Sequence, residues 1–578
     1  MFKLKKYLRL YKKELILGPF FKLWEAVFEL VIPLVMARII DVGIKNSDTG
    51  YVLRLGGVIV LLGVIGLIST LVCQYFGARA SQGIGNNLRK DLFSHILSLS
   101  HSEIDKLGTS TLITRITNDV NQIQLGVAML IRLAVRAPFL VIGATVMAMA
   151  IDLKLSLVFL AAIPAIVAVL YFILGKTTKM FHAIQRKLDK ISLITRENLS
   201  GVRVVRAFSE QDREKSRFNQ ANGDYTEHAV RVAGISTLLN PVTYLIMNTA
   251  IIAIIWFGGY RVESGALTQG QIIAFVNYMT QILLALVVVA NILIIFTKAN
   301  TSSARVMEIF NTENTIKDEP CELTFDTSDK FKVKFENVSF SYNSSDNKFL
   351  KNISFKVKKG QTIGIIGGTG AGKTTLINLI PRFYEATEGS VLVDGKNVKS
   401  YPVAELRNKI AVVPQKAVLF SGSVRDNLRW GKADATDDDI MKAVKYSQSS
   451  DFISSAEDLD KYIFQGGRNL SGGQKQRLTI ARALVKEPEI LILDDSASAL
   501  DYTTDLRLRT AIKNLSHSMT VFIVSQRAAS VMHADIILVL DNGELVGAGT
   551  HDQLIKTCGE YIQICHSQMS GSEAENER

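Results

Sequence analysis

Nine consecutive residues, Gly367, Gly368, Thr369, Gly370, Ala371, Gly372, Lys373, Thr374 and Thr375, set glycines, a lysine and hydroxyls at a spacing suited to a phosphate chain. The glycines let backbone N–H groups close around phosphate oxygens, Lys373 neutralises the outer oxygens, and the Thr374 hydroxyl takes a place on Mg²⁺. Farther on, residues 489–493 read as a strand whose apolar run, 490–493, ends in Asp494 and Asp495. A carboxylate at the tip of such a strand, beside a phosphate loop, can hold Mg²⁺ directly or through water; alone, it would simply cap a helix. Leu470, Ser471, Gly472, Gly473 and Gln474 make a second glycine turn opening a helix, and therefore a second anion-binding helix N-terminus in the same domain. One bound nucleotide needs one such cradle, so the second is best used on a nucleotide held by another copy.

These residues need elements to position them. The apolar run at 362–366 and the one at 376–380 bracket the glycine stretch, which gives strand, loop, helix in that order. Residues 335–342 alternate as a strand and 347–357 supply another, so the C-terminal part has a soluble α/β pattern. The polar stretch 298–332, rich in Asp, Glu and Thr with one Pro, is the best domain boundary.

The N-terminal part is of a different kind. The whole chain of 578 residues is 48% hydrophobic with a net charge of +12. Apolar segments lie near 15–40, 55–78, 137–151, 155–175, 235–258 and 272–296, most of them approaching the ~20 residues that a bilayer helix needs. Short links join them in pairs, whereas long links of about 55 residues, rich in Arg and Lys, follow the second and the fourth. The positive-inside rule then puts both termini and both long loops in the cytosol. The basic stretch 1–13 reads as an amphipathic elbow helix rather than a cleaved signal. Basic residues sit beside apolar runs and form no single patch with interleaved aromatics, so nucleic acid is not an expected partner. Cys73, Cys321, Cys558 and Cys565 have neither metal-ligand spacing nor disulfide density.

A few polar residues interrupt the membrane segments. Lys22, Glu25 and Glu29 share one helical face of the first, and Asn248, Asn277, Gln281 and Asn291 occupy the last two. Ionisable groups at such depth face a bundle interior or a cavity. Glu25 and Glu29 would then line a substrate path favouring cationic amphipathic molecules; an internal Lys22–Glu25 pair, or an interfacial position, explains the same residues. Trp24, Phe28, Tyr244, Trp256 and Tyr278 read as packing residues.

On the glycine loop, the LSGGQ turn and the strand-end aspartates, the chain resembles an ABC transporter half-subunit of the exporter type, multidrug-exporter-like, over nearly its whole length. The resemblance implies an α-helical membrane domain of six transmembrane helices with long cytosolic extensions, and an α/β P-loop nucleotide-binding domain. It implies boundaries at 1–305 for the membrane domain, 306–332 for a linker, 333–567 for the nucleotide-binding domain and 568–578 for a polar tail. By the same likeness Tyr342 stacks on adenine, Gln415 senses Mg²⁺ and the γ-phosphate, and 470–474 close on a partner's ATP. Asp501, in SALD, belongs to the loop crossing the dimer interface, and 108–119 and 197–208 are the two coupling loops.

Two positions depart from the family pattern. The general base that follows Asp494 is Asp495 rather than Glu, and the switch position before Arg527 is Gln526 rather than His. A neutral amide can bond a phosphate but cannot carry the imidazole's proton. The expectation is a heterodimer with a second half-transporter, in which this chain's own Walker site binds ATP and Mg²⁺ but hydrolyses poorly while its signature completes the partner's site. It would sit multi-pass in the cell membrane and export hydrophobic or amphipathic, cationic drug-like compounds. A lipid or other small-molecule exporter, or a regulatory membrane protein switched by ATP without transport, is the alternative.

Overall fold

The computed structural model describes residues 5–316, 331–342, 348–515 and 519–568. Lys3, Cys321, Asn347, most of the expected linker and the tail beyond Gln568 lie outside the described residues. The chain divides into two compact units, Met1–Leu97 with Thr109–Thr312, and Ser98–Gly108 with Glu313–Arg578.

The first unit is helical. After a short helix at Lys5–Leu10 come α1 (Lys12–Arg38), α2 (Thr49–Ser98), α3 (Arg136–Ile151), α4 (Leu153–Ser200), α5 (Leu239–Glu263) and α6 (Gln269–Phe310). Among the described residues, five helical stretches are long and apolar enough to cross a membrane. The sixth expected span, α1, carries Lys22, Glu25 and Glu29 in the part that would cross. α2 has 50 residues and α4 has 48, or roughly 70–75 Å at 1.5 Å per residue, far more than a ~30 Å hydrocarbon layer requires.

Each helix buries one stripe. On α6 this is Gly270, Ala274, Tyr278, Ile282, Leu286 and Ala290, and it continues through Ala299, Ser302, Val306 and Ile309. The helical stripe therefore runs past Arg305, where the sequence reading ends the membrane domain: the polar residues there are the outer face of an amphipathic helix. Of the expected packing aromatics, Tyr278 is wholly buried and bonds the Leu30 carbonyl at 2.8 Å. Trp24, Tyr244 and Trp256 are exposed on the unit's surface, as apolar side chains of bilayer-facing helices can be.

The first expected coupling loop is displaced. Gly108, at φ +76°, ends a short helix at His101–Leu107, and by Thr109 the chain is already in the next helix. The turn thus occupies 99–108 rather than 108–119, and Asp119 is a buried group bonded by Arg305, Ser302 and Arg115. The second turn falls at Gly201, between α4 and a short helix at Val202–Ala207.

The second unit joins two sheets. β1 (Phe331–Phe340), β2 (Leu350–Lys358), β4 (Glu388–Val393) and β5 (Lys396–Asn397) form an antiparallel sheet in the order β2-β1-β4-β5. β3 (Thr362–Gly367), β6 (Ile410–Val413), β7 (Ile490–Asp494), β8 (Thr520–Val524), β9 (Ile536–Asp541) and β10 (Glu544–Gly549) form the other, ordered β10-β9-β3-β8-β7-β6. All its pairings are parallel except β9 with β10. Phe335, Ile353 and Val391 from the first sheet meet Ile363, Ile365 and Phe522 from the second in one core. Continuous apolar strands such as ILILD are what a sheet covered on both faces demands, and all five of those residues are buried. Ser98–Gly108 belongs to this unit: His101 stacks on Phe383 at 4.5 Å, Tyr384 donates to Asp105 at 2.5 Å, and Asn314 Nδ2 donates to the Ser98 carbonyl at 2.7 Å.

Candidate functional site

β3 ends where the glycine stretch begins and the helix Lys373–Leu379 starts where it ends, so the loop sits at the carboxyl edge of the parallel sheet. Two glycines there are required by geometry. At Gly372, φ is +94° and a Cβ would lie 2.7 Å from the Leu350 side chain; at Gly367 a Cβ would lie 2.1 Å from the Leu540 carbonyl oxygen. The buried Lys373 ammonium folds back over the loop and donates to the carbonyls of Gly367 and Gly368 at 2.9 and 2.7 Å.

β7 delivers Asp494 to the same place through the β3-β8-β7 order. The Thr374 hydroxyl lies 3.1 and 3.0 Å from the two Asp494 oxygens. A hydroxyl beside an ionisable carboxylate is a hard oxygen donor set, which fits Mg²⁺. Burial pushes the Asp494 carboxyl above the ordinary range, with Asp495 adding to the rise while Thr374 and Lys373 oppose it. Asp495 is likewise raised, chiefly by burial, against the pull of Gln415, Lys373 and Arg527. Burial in turn holds the Lys373 ammonium below its usual range, and Asp495 and Asp494 resist that. One cation and two adjacent acids in a low-dielectric pocket make a site that gains from bound phosphate and bound metal together.

The structure also brings Gln415 to this group: its Nε2 donates to Asp495 at 3.3 Å. Asp495 has a left-handed backbone, φ 45°, fixed by its N–H donating to the Val524 carbonyl at 3.0 Å. Tyr342 is tied to the loop's far end, its hydroxyl 3.1 Å from that of Thr375, with its ring edge-to-face against Phe340, Phe349 and Tyr384. Gln526 is exposed on the turn after β8, and that turn is fixed by Ser525, whose N–H donates to Ile365 and whose hydroxyl accepts from the Arg527 N–H.

Sequence reasoning missed Gln568. From the end of helix Gly559–Gln568 its side chain holds the backbone of the switch turn at Gln526 and Ala528. No local motif marks it, because its partner lies 42 residues away.

The signature turn stands apart from the group around Lys373. Ser471 caps helix Gly472–Val485, its hydroxyl accepting from Gln474 N–H at 3.2 Å while Gln474 Oε1 accepts from Ser471 N–H at 2.9 Å. Apart from the backbone ladder of that helix, and among the described residues, the hydrogen bonds of 470–474 stay within 467–475. Gly473 approaches the carbonyl of Ala499, in the SALD stretch, where Asp501 caps the helix Tyr502–Leu515 by accepting from Thr504 N–H at 3.0 Å.

In the membrane unit the two carboxylates of α1 are not isolated. Lys22 donates to Glu25 at 2.5 Å, and Arg136 reaches Glu29 at 2.6 Å and Glu25 at 3.9 Å. Gln281 donates to the Glu29 carbonyl at 3.3 Å, and Asn277 bonds its own helix.

Residues 15–286 match the family model described as ABC transporter transmembrane region, and 350–498 match ABC transporter. The chain is 38% identical over 555 residues, 96% of each chain, to an uncharacterized ABC transporter ATP-binding protein, YfiB, of Bacillus subtilis. It is 33% identical over 498 residues, 85% of each, to YgaD of the same organism, a putative multidrug export ATP-binding/permease protein. A solved bacterial Atm1-family ABC exporter with ATP bound superposes with a TM-score of 0.79 at 25% identity, covering 98% of this chain and 99% of that one.

Proposed function

The chain belongs to the ABC transporters, as an exporter half-transporter with a membrane domain and an ATP-binding domain, and from that footing we propose that it is the degenerate-site half of a heterodimeric exporter of hydrophobic or amphipathic compounds. The observation that carries this reading is Asp495. A carboxylate one methylene shorter than Glu reaches about 1.5 Å less far, while a general base works within about 2.6 to 3.2 Å of its proton. Asp495 is besides engaged by Gln415, and its neighbour at the switch, Gln526, carries no ionisable proton. The signature turn, by contrast, is intact and capped.

In this scheme the loop amides of 368–374 and Lys373 hold the triphosphate, and Tyr342 supports the adenine. Thr374, Asp494 and Gln415 would hold Mg²⁺, which when bound neutralises charge on the phosphates. Lys373 exchanges the Gly367 and Gly368 carbonyls for phosphate oxygens. The N-terminus of helix Gly472–Val485 offers its free N–H groups to a nucleotide on the partner. Nucleotide binding then favours one arrangement of the membrane helices and hydrolysis at the competent site the other, and ligand moves because the two bind it differently. The basic long loops support a cytosolic placement of both termini and of the ATP-binding domain.

Uptake of a fluorescent amphiphile into inverted membrane vesicles tests the proposal. ATP-driven uptake is expected when this chain is present with a second half-transporter bearing Glu and His at the two positions. Equal uptake by this chain alone would overturn the heterodimer.

A further inference from the structure

Charge in the membrane unit does not balance. α1 contributes Lys22, Glu25 and Glu29; α3 begins at Arg136, and the π-helical turn Leu130–Ala134 just before it holds Arg132. That makes three cations against two carboxylates, a surplus of one positive charge. Counted at 1.5 Å per residue from Arg38 and Ile151, the ends of α1 and α3, Glu29, Glu25, Arg136 and Lys22 lie roughly 14 to 24 Å down a ~30 Å layer, and Arg132 lies at its far edge, roughly 29 Å down. Lys22 is committed to Glu25 and Arg136 to Glu29. Among the described residues no ion pair reaches Arg132, and its Nε is buried without a hydrogen-bond partner. It nevertheless shares the cluster, because Lys22, Glu25 and Arg132 all lie within electrostatic reach of the Cys73 thiol on α2. Arg132 lies along α2 at Gly77, where a Cβ would stand 3.1 Å from its Nε.

We propose that Arg132 receives the anionic headgroup, a carboxylate or a phosphate, of an amphipathic ligand in the membrane domain; this deepens the exporter reading and rests on it. Its buried Nε is left without an acceptor, and its fork of N–H donors matches both headgroups. A cationic ligand finds no such opening. To reach Glu25 or Glu29 it would have to displace Lys22 or Arg136, which are tethered in place. On this proposal the ligand is an anion, where the sequence reading expected a cation.

The test measures equilibrium binding to the full chain in phosphatidylcholine nanodiscs without nucleotide. Its probes are one fluorophore carried on dodecanoate, on dodecanol and on dodecyltrimethylammonium. The dodecanoate probe is expected to bind tightest. Arg132→Gln should weaken it about tenfold with the alcohol unchanged, and Arg132→Lys, which keeps the charge but not the fork, should restore part of the loss. Glu29→Gln, which releases Arg136, should tighten dodecanoate binding, a gain that misfolding cannot mimic. Equal or tighter binding of the ammonium probe, or an equal loss for all three on Arg132→Gln, would overturn the site. Displacement of the dodecanoate probe by phosphatidylglycerol, lost in Arg132→Gln, supports the anion site and names the bilayer as the source of its ligand. Binding that depends on Arg132 without ATP-driven uptake would leave the site standing and remove the exporter reading; uptake indifferent to Arg132 and to headgroup charge would remove the site alone.

Discussion

Gln568 Nε2 donates to the Gln526 carbonyl at 2.7 Å, while its Oε1 accepts from the Ala528 N–H at 2.8 Å, so one amide from the last described helix grips the switch turn on both sides of Arg527. Loss of two such bonds loosens the turn without touching nucleotide. Gln568→Ala is expected to speed release of a fluorescent ATP analogue from the Lys373 site by up to about 30-fold, at about 1 kcal/mol for each of the two bonds. Gln568→Glu keeps the acceptor for Ala528 but loses the donor for Gln526 and should fall between. Stopped-flow release rates check this, and identical rates in all three proteins would show that the clamp is idle.

On the proposed scheme the LSGGQ turn and Asp495 should respond unequally to substitution. A Cβ at Gly472 would meet nothing closer than Ala499 Cβ at 4.0 Å, so Gly472→Glu folds, yet it puts a carboxylate on an anion-binding helix terminus. In the assembled transporter it is expected to cut steady-state ATPase to below about a tenth, whereas Asp495→Asn should cost less than about twofold. Vigorous turnover by the purified chain alone, lost on Asp495→Asn, would show that the short carboxylate suffices.

Asp494 gives a pH signature. Burial raises its carboxyl above the value it has in an unfolded chain, so the folded protein binds the extra proton and stability falls as pH climbs from the ordinary aspartate range through the raised value. Asp494→Asn removes that slope. Without nucleotide the variant should melt higher than the parent at about pH 8 and about equally at about pH 4. With Mg·ATP the order should reverse, because the variant gains little from the metal. A melting difference that does not grow between about pH 4 and about pH 8, or an order that Mg·ATP leaves unchanged, would disprove this account of the carboxylate.

Asp119 behaves in the contrary sense. Burial alone would raise it, but hydrogen bonds and charge from Arg305, Ser302 and Arg115 outweigh burial and hold it below the usual carboxylate range. Arg305→Ala is expected to destabilise the membrane unit by about 1–3 kcal/mol, and adding Asp119→Asn should recover part of the loss. Its contribution should fade as pH falls through the depressed value. Additive losses in a thermal-shift cycle would argue against the pair.

Local chemistry was legible in the sequence; distant pairing was not. The glycine loop, the strand before it and the capped LSGGQ turn each follow from a handful of adjacent residues, and the structure has them as such. The Lys22–Glu25 pair was one of the readings the sequence allowed and is present, whereas the partner of Glu29 was not legible, because Arg136 lies 107 residues on and outside the apolar run that holds Glu29. Gln568 was invisible for the same reason. The turn expected at 108–119 falls about ten residues earlier because Thr109–Asp119 is helical, and its mixture of polar and apolar residues does not separate a loop from an amphipathic helix.

The ATP-binding unit is assembled from two stretches of chain, and synthesis makes them far apart in time. Ser98–Gly108 leaves the ribosome before α3 to α6 exist, whereas Phe383, the ring on which His101 stacks, and Tyr384, which donates to Asp105, come after all of them. The first piece must therefore wait, unpartnered, while four long helices are made and inserted. The unit cannot close in strict N-to-C order as an independent domain would. A fragment begun at residue 313 would lack its missing piece altogether, and a peptide spanning 98–108 is what it would need to regain it.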